Sequence, residues 1–296
     1  MYDGIIVINK EKGFTSHDVV NVVRKTLGMR KVGHTGTLDP EAEGVLPICL
    51  GKGTKVSDML MFSDKEYIAG VKLGISTDTQ DIWGNVLDTS DKKISREEFE
   101  KVVNSFVGEI TQVPPMYSAI KVNGKKLYEY AREGKEVERK ERKVTIYGID
   151  ILSFEDEIKI KVACSKGTYI RTLINDIGEA LGTYACMDSL VRTKSSVFSL
   201  ENAVSLDELK AYAEDGKAGE HIMSIDSVFE SYPAIYLDDE QAFRITNGAP
   251  SGVKANEGTY RAYDKDGSFL CIAEVKRELS KNGNKRYVIK LVKAFF

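Results

Sequence analysis

The chain has 296 residues, of which 42% are hydrophobic and 29% charged, and its formal net charge is −3. This length allows one large domain with an appendage or two ordinary domains, and the composition is that of a soluble globular protein with a sizeable core. The sequence contains no long apolar run that would span a membrane, and its N-terminus lacks the basic region and cleavage site of a signal peptide. We therefore expect a cytoplasmic protein without membrane segments.

The cysteines and histidines do not form the patterns of metal sites or disulfide frameworks. No CxxC pair occurs, the three histidines are far apart, and the Gly-rich motifs GxGxxG and GxxxxGKS of nucleotide sites are absent. We expect neither a metal nor a cofactor. The cysteines have apolar neighbours, which predicts small core residues at Cys49, Cys164, Cys186 and Cys271.

The first predicted elements are a strand and an amphipathic helix. Ile5–Asn9 is a short apolar run typical of a buried strand, and the stretch TSHDVVNVVRKTLG repeats apolar residues at helical spacing. Ser16 is the predicted N-cap of this helix and Gly28 its predicted end.

A loop rich in glycine and proline follows, with the sequence RKVGHTGTLDPEAEGVLP. Gly33 and Gly36 permit backbone conformations that other residues resist, and Pro40 disfavours the helical region for Asp39. Two interpretations stay open at this point. Asp39 caps a helix that begins with Pro40, or the loop presents the carboxylate to a substrate.

Strands and helices then follow one another irregularly. The sequence predicts strands at KEYIAGVKLGIST, KVTIYGIDILSFE and EIKIKVAC, and helices at REEFEKVVNSFVGE and IRTLINDIGEALG. This order lacks the strict alternation of a parallel doubly wound fold. It predicts an α+β domain with a mixed, largely antiparallel sheet flanked by helices.

Two residues in these elements are candidates for chemistry. Arg171 occupies the first turn of a helix, where the macrodipole disfavours a cation, so it calls for an anionic partner such as a carboxylate. The alternative is an ordinary arginine that extends along the surface into solvent. Tyr67 lies in the strand KEYIAGVKLGIST, where position alone predicts core or surface packing.

Charge is unevenly distributed along the chain. Lys121–Lys143 contains nine Lys and Arg against five Glu, and Lys276–Lys293 contains seven against one. Glu201–Glu230 contains eight acidic residues against two lysines. Phosphate binding depends on the local electrostatic field and not on the net charge of the whole chain. The two basic segments are therefore compatible with a nucleic-acid partner, although the net charge is negative. The alternative is that these charges only solvate surface elements.

The texture of the sequence changes near Ser231–Asp239. Beyond this stretch come short strands with Gly-rich turns, among which Asp266–Gly267 and Asn282–Gly283 are hairpin signals. We predict a large domain over residues 1–231 and a small, basic, all-β module over residues 232–296.

Three stretches, in this order and spacing, resemble the TruB family of tRNA pseudouridine synthases. They are GHTGTLDPEAEGVLPICLG, KEYIAGVKLGISTDTQD and CSKGTYIRTLINDIGEALG, and GFTSHDVVNVVRK and PPMYSAIKVNGKKLYEYAREGKEV match as well. The resemblance is dense over roughly residues 4–230, and the strands beyond it resemble the family's PUA-type RNA-binding module. One departure is Lys10–Glu11, where family members often have Lys-Pro.

The resemblance implies an activity, a partner and a set of roles. The family isomerises uridine 55 in the T-loop of tRNA to pseudouridine, without cofactor or metal. On matching positions, Asp39 is the implied catalytic aspartate, Arg171 its partner and Tyr67 the residue stacked on the target base. The remaining implied substrate-binding positions are His34, which fills the space of the flipped base, Tyr169 and Leu190, which line the pocket, and Lys10 near it.

Other activities stay open beside this one. An RNA-binding protein that acts as a tRNA-folding chaperone would have the same basic segments, and an enzyme with an aspartyl nucleophile would act on a small molecule. The implied aspartate chemistry leaves three routes open, namely attack on uracil C6, attack on ribose C1′, or assistance to a glycal intermediate. A monomer that binds the T-stem-loop, without a protein partner, is the expected state.

Overall fold

The structure is a computed structural model that describes residues 2–279 and 285–296. Its strands are β1 (Gly4–Lys10), β2 (Val32–His34), β3 (Glu43–Leu50), β4 (Lys65–Leu73), β5 (Ile75–Thr77), β6 (Val86–Thr89), β7 (Gly108–Gln112), β8 (Lys121–Val122), β9 (Lys125–Lys126), β10 (Arg142–Ser153), β11 (Ile158–Cys164), β12 (Ala185–Ser195), β13 (Phe198–Ser199), β14 (Ala234–Tyr236), β15 (Ser251–Gly252), β16 (Gly258–Tyr263), β17 (Phe269–Leu279) and β18 (Lys285–Ala294). Its α-helices are α1 (Ser16–Thr26), α2 (Ser57–Met61), α3 (Arg96–Ser105), α4 (Leu127–Arg132), α5 (Ile170–Ala180), α6 (Leu206–Glu214) and α7 (Asp239–Thr246). Short 3-10 helices lie at Gly51–Val56, Leu200–Asn202, Ala218–His221 and Ile225–Phe229.

A large mixed sheet forms the centre of the molecule. Its strands follow the order β1-β3-β12-β4-β11-β10-β7, with β2 paired to β3 and β13 paired to β12. Of these pairs, only β3 and β12 run parallel. The predicted α+β domain with a mixed, largely antiparallel sheet is therefore confirmed.

Strand β4 occupies the middle of this sheet, between β11 and β12. Tyr67 on β4 stands opposite Val162 on β11 and opposite Arg192 on β12. Directly opposite residues of neighbouring strands project from the same face of a sheet. Tyr67 and Arg192 are therefore neighbours on one face.

The N-cap of helix α1 lies one residue earlier than the sequence predicted. The predicted N-cap, Ser16, is wrong, because Thr15 accepts a hydrogen bond from the Asp18 N–H at 3.1 Å while the Asp18 carboxylate accepts one from the Thr15 N–H at 2.9 Å. This reciprocal pair is a capping box. Ser16 is instead buried, and its hydroxyl accepts a hydrogen bond from the N–H of Leu38 at 2.8 Å. Gly28 ends the helix as predicted, with a φ of +61°.

The C-terminal part of the chain forms a second sheet, with the order β14-β16-β17-β18-β15. This sheet confirms the predicted β-module, and Gly267 turns the β16–β17 hairpin at a φ of +85°. The Asn282–Gly283 signal lies outside the described residues. The structure adds one helix to the module, α7, because Asp238 and Gln241 form a capping box that the sequence analysis overlooked.

Two hydrophobic clusters occupy the two faces of the large sheet. The first packs helices α1, α5 and α6 against one face. The second joins Ile5, Val45 and Cys49 on the opposite face to Phe229 and to Phe295 from the end of the chain. All four cysteines are buried as predicted. Within the described residues, no helix has the length and apolarity needed to cross a bilayer.

Gly44 on β3 lies where this strand passes close to β12. Gly44 has a φ of +102°, and a Cβ atom there would overlap the carbonyl oxygen of Arg192 on β12. We expect Gly44→Ala to lower the free energy of unfolding by about 2 kcal/mol or more, because it adds both backbone strain and a clash. Urea denaturation measures this change.

The matched control is Gly148→Ala on β10. A Cβ atom at Gly148 meets open space, and its φ is not in the left-handed region. Its free energy of unfolding should stay within about 0.5 kcal/mol of the original. Equal losses in both variants would contradict the close approach of β3 and β12.

Candidate active site

Asp39 lies in a turn between β2 and β3. Its carbonyl accepts a hydrogen bond from the N–H of Ala42 at 3.1 Å, and strand β3 begins directly after that residue. Pro40 stands at the second position of the turn, where its fixed φ is favourable. The helix-cap interpretation of Asp39 is wrong, because the chain returns into the sheet and no helix follows. The side chain is 43% exposed, so its carboxylate is accessible to a ligand.

Arg171 in the first turn of α5 pairs with this carboxylate. Its Nη2 lies 3.0 Å from Asp39 Oδ2, and its side chain is only 6% exposed. The alternative in which Arg171 extends into solvent is therefore wrong. Since a buried guanidinium needs compensation, the aspartate supplies both charge and a hydrogen-bond acceptor.

Backbone and a second carboxylate complete the surroundings of Arg171. Nη1 donates to the carbonyl of Thr79 at 2.9 Å, and Nη2 donates to the carbonyl of Tyr117 at 2.8 Å. Asp81 Oδ2 lies 3.6 Å from Nη1. These partners come from separate segments, so the guanidinium and the Asp39 carboxylate are held in place before any substrate arrives.

The sequence analysis missed Asp81. Its side chain is 14% exposed, and its other oxygen accepts hydrogen bonds from the Thr79 hydroxyl at 2.6 Å and from the N–H of Trp83 at 3.3 Å. Burial raises the pKa of Asp81, against the Thr79 hydrogen bond and the Arg171 charge, which lower it. Asp81 ends the stretch KEYIAGVKLGISTDTQD, which carries part of the family resemblance. Within that stretch, however, the resemblance assigned a role only to Tyr67.

Lys10 anchors the Asp39 turn from below. The side chain is fully buried, and Nζ donates to the carbonyls of Glu11 at 2.9 Å, Phe14 at 2.8 Å and Pro40 at 3.0 Å. The ammonium group is thus engaged by backbone oxygens, one of them adjacent to Asp39. Lys10 lies near the candidate site, as the resemblance implies, and its contacts here fix the turn.

Tyr67 and Arg192 form the floor beside the Asp39 turn. Tyr67 is half-buried, and burial raises the pKa of its hydroxyl, while the Arg192 guanidinium beside it acts in the opposite direction. Arg192 is 2% exposed, and its Nε donates to the carbonyl of Val45 at 2.7 Å. The sequence analysis did not single out Arg192. One feature of the sequence could have indicated it: Arg192 occupies an inward-facing position of an alternating strand, two residues after Leu190.

The other implied substrate-binding residues lie on three separate elements. His34 ends β2, and its Nδ1 accepts a hydrogen bond from the N–H of Gly36 at 3.3 Å; burial lowers the pKa of His34, which favours the neutral ring. Tyr169 immediately precedes α5, and the Arg142 guanidinium lies 5.6 Å from its ring centroid. Leu190 is buried on β12, two residues before Arg192.

The arrangement presents one accessible carboxylate in an otherwise buried polar network. A charged aspartate held by arginine can act as a nucleophile or base, and a neighbouring tyrosine offers an aromatic face and a hydroxyl. Within residues 2–279 and 285–296, no three His, Cys, Asp or Glu side chains come together as a metal-binding group.

Comparisons with known proteins identify the family. The family model described as TruB family pseudouridylate synthase (N terminal domain) matches residues 24–170, and the model described as tRNA pseudouridylate synthase B C-terminal domain matches residues 171–230. The tRNA pseudouridine synthase B of Clostridium kluyveri is 44% identical over 294 residues and aligns over 99% of both chains. The chain belongs to the TruB family. A second TruB relative, tRNA pseudouridine synthase B of Geobacillus thermodenitrificans, is 47% identical over 256 residues, which are 83% of this chain and 85% of the relative.

Solved structures extend the TruB likeness to the whole fold. A chain in the crystal structure of a Cbf5-Nop10-Gar1 complex superposes with a TM-score of 0.74 at 28% identity, covering 99% of this chain and 85% of that one. A chain in an H/ACA RNP bound to a substrate RNA containing 2'-deoxyuridine gives a TM-score of 0.73 at 26% identity, with the same coverage. These two chains therefore share the fold of this TruB protein over nearly its whole length, including the PUA-like C-terminal module beyond the two family matches.

The buried ammonium of Lys10 leads to a prediction for stability. Lys10→Met leaves buried carbonyls without their donor, so we expect the free energy of unfolding at pH 7 to fall by about 1–3 kcal/mol. Burial also lowers the pKa of Lys10 from 10.5 to about 8. Between these two values the unfolded chain binds more protons than the folded one, so the contribution of Lys10 to stability rises with pH.

Urea denaturation from pH 7 to pH 10 checks this sign. The difference in unfolding free energy between the original chain and Lys10→Met should grow above about pH 8, since only the original chain gains stability from releasing this proton. A difference that stays constant over the whole range would contradict the lowered pKa.

Proposed function

We propose that this TruB protein converts uridine 55 in the T-loop of tRNA to pseudouridine. Family membership and relatives named tRNA pseudouridine synthase B support an enzyme that acts on tRNA. The observation that carries the proposal is the accessible Asp39 carboxylate held 3.0 Å from the buried Arg171, on the same floor as Tyr67. The enzyme acts as a monomer on the T-stem-loop, in the cytoplasm where tRNA is found.

The reaction exchanges one bond to ribose for another. The bond between N1 and C1′ breaks, the bond between C5 and C1′ forms, C5 loses a proton and N1 gains one, so no external reactant is consumed. Attack on C6, attack on C1′ and assistance to a glycal all require the ionised form of Asp39. The Arg171 guanidinium, 3.0 Å away, compensates the charge of this carboxylate, and burial of the network keeps water from intercepting the detached base.

The uridine has to leave the stack of the T-loop before it reaches the carboxylate. Base flipping costs a few kcal/mol, which contacts in the pocket must offset. Tyr67 provides a stacking face for the flipped base, with Tyr169 and Leu190 as further walls of the pocket. The neutral ring of His34, at the entrance of the Asp39 turn, takes the space that the base leaves.

The basic segment Lys121–Lys143 supports an RNA substrate. Ion pairs with neighbouring glutamates engage four of its nine cations: Lys125, Lys135, Arg139 and Lys143. Three others lie over aromatic rings: Lys126 and Arg132 are each 5.3 Å from the centroid of Tyr128, and Arg142 is 5.6 Å from that of Tyr169. Cations beside aromatic faces suit a strand that offers both phosphates and bases.

Two other activities compete with this proposal. A tRNA-folding chaperone needs RNA binding and no ordered carboxylate, so the intact set of Asp39, Tyr67 and Arg171 favours catalysis; both activities are compatible in one protein. A small-molecule enzyme with an aspartyl nucleophile has no use for the two basic segments and the appended β-module.

The proposed role of the Asp39 carboxylate is tested by removing its charge. Asp39→Asn keeps the size and hydrogen bonding of the side chain but removes its charge, so we expect pseudouridine formation on unmodified tRNA to fall by about 1,000-fold or more. Affinity for the same tRNA should change less than about threefold, because the basic segments are intact. Single-turnover assays and filter binding measure the two quantities.

Glu41→Gln is the matched control for Asp39→Asn. Glu41 lies in the same turn and is partly exposed, but among the described residues it makes no ion pair with Arg171. This variant should keep the activity of the original enzyme within about threefold. Retained isomerisation by Asp39→Asn would remove Asp39 from catalysis, and loss of tRNA binding would indicate a folding defect instead.

The second prediction concerns the position of the product. Incubation of unmodified tRNA with the enzyme should yield pseudouridine at position 55, and a transcript with cytidine at that position should yield none. Chemical mapping by reverse transcription locates the product. A product outside the T-loop would change the substrate assignment, and binding without any product would favour the chaperone.

A further inference from the structure

Helix α5 begins at an aromatic residue that does not cap it. Tyr169 is the N-cap residue, and among the described residues its side chain makes no capping hydrogen bond. Ser, Thr, Asp and Asn are preferred at this position because their short side chains accept a hydrogen bond from the helix. In a capping box the third helical residue accepts from the N-cap N–H. Here that residue is Thr172, and its hydroxyl donates to the Gln80 side chain at 2.9 Å. Local sequence therefore does not account for a tyrosine at this place.

Gln112 at the end of β7 supplies the contacts that this helix start lacks. Its Oε1 accepts a hydrogen bond from the N–H of Tyr169 at 3.1 Å, and its Nε2 donates to the carbonyl of Tyr169 at 3.2 Å. The side chain is 1% exposed, so the amide is shielded from water. Both of its polar ends are bonded to one residue, 57 positions later in the chain. Two hydrogen bonds in opposite directions fix both the place and the orientation of the Tyr169 main chain.

The residue opposite Gln112 holds the ring of the same tyrosine. Arg142 on β10 pairs with Gln112 on β7, and directly opposite residues project from one face of a sheet. The Arg142 guanidinium lies 5.6 Å from the centroid of the Tyr169 ring, within the range of a cation–π attraction. One cross-strand pair therefore holds Tyr169 twice, by its main chain and by its ring.

We propose that Gln112 and Arg142 are positioning residues that hold Tyr169 as a fixed wall of the uridine pocket. This inference rests on the proposed function, in which Tyr169 borders the flipped base. A wall that is in place before the base arrives loses little conformational freedom on binding. More of its contact energy is then available to keep the base in the reactive geometry beside Asp39. Gln112 is buried and acts only through Tyr169.

Gln112→Glu keeps the size of the side chain and makes its hydrogen bonding depend on pH. A protonated carboxyl group accepts from the Tyr169 N–H and donates to the Tyr169 carbonyl, as the amide does. An ionised carboxylate only accepts, so it directs a lone pair at that carbonyl and repels it. Burial raises the pKa of such a carboxyl group, which moves this change toward neutral pH.

Single-turnover pseudouridine formation at saturating enzyme measures the effect from pH 5.5 to pH 9. The rate of Gln112→Glu should be within about threefold of the original at the acid end and about tenfold or more below it at the alkaline end. The ratio of the two rates removes the titrations that both enzymes share. Affinity for tRNA, measured by filter binding, should change less than about threefold, because Gln112 is buried.

Gln241→Glu is the matched control. Gln241 on α7 makes the same kind of bonds, since its Oε1 accepts from the Asp238 N–H at 3.1 Å and its Nε2 donates to the carbonyl of Gly252 at 2.9 Å. These partners belong to the C-terminal module and not to the pocket. Its rate ratio should stay within about twofold at every pH. A ratio for Gln112→Glu that is equally flat would overturn the role of Gln112.

Tyr169→Ala separates positioning from a role in folding, because it removes the ring and keeps the main chain that Gln112 binds. Alone, Arg142→Gln should lower the single-turnover rate about fivefold. Once Tyr169→Ala is present, Arg142→Gln should cost less than about twofold, and Gln112→Glu at pH 9 less than about threefold. Losses that persist in full without the ring would overturn the proposal and leave both residues a purely structural role.

The remaining outcomes are also decisive. If Gln112→Glu does not fold, Arg142→Gln with and without Tyr169→Ala decides the proposal, since it leaves the main-chain bonds of Tyr169 intact. An original enzyme that forms no pseudouridine at position 55 would refute the proposed function and this inference with it. Normal product from the original enzyme, together with a flat rate ratio for Gln112→Glu, would refute the inference alone.

Discussion

Arg171 carries a charge that the protein compensates almost entirely from within, since its side chain is 6% exposed. Its acceptors come from the Asp39 turn, from the β5–β6 connection at Thr79 and Asp81, and from Tyr117 beyond β7. These segments are far apart in sequence and meet only because α5 packs beside the centre of the sheet. The ion pair between Arg171 and Asp39 therefore forms only in the complete fold. The fold in turn holds the Asp39 carboxylate within hydrogen-bond distance of Arg171.

A second layer of contacts supports this network. Ser16 accepts a hydrogen bond from Leu38 just before Asp39, and Lys10 donates to Pro40 just after it. The two anchors hold the turn from both sides while leaving the carboxylate partly exposed. Such support from backbone contacts keeps a reactive group in one orientation without covering it.

Periodicity and spacing predicted much of this molecule. Apolar repeats located β1, α1 and α5, because burial on one face produces those repeats. Local chemistry was harder to predict. Ser16 and Thr15 are both good caps, and only the Asp18 carboxylate at the third helical position selects Thr15. Asp39 before Pro40 fits a helix start and a turn equally well, and the return of the chain into β3 decides between them.

Residues that act through distant partners were the ones that sequence did not reveal. Asp81 belongs to the site because it lies beside Arg171, ninety positions later in the chain. Arg192 belongs to it because strand β12 pairs with β4. Neither is distinguished by local pattern from an ordinary surface aspartate or a strand arginine. Recognition of the family named Asp39, Tyr67 and Arg171, and the geometry brought their neighbours into view.

The hydrophobic cluster on the outer face of the large sheet has a consequence for the order of folding. It contains Ile5 from the first strand and Phe295 from just beyond the last one. These two residues are 290 positions apart, so bringing them together closes a long loop at an entropic cost that local contacts do not carry. We therefore expect the outer face of the sheet to be covered late in folding, after the local helix and hairpin contacts have formed.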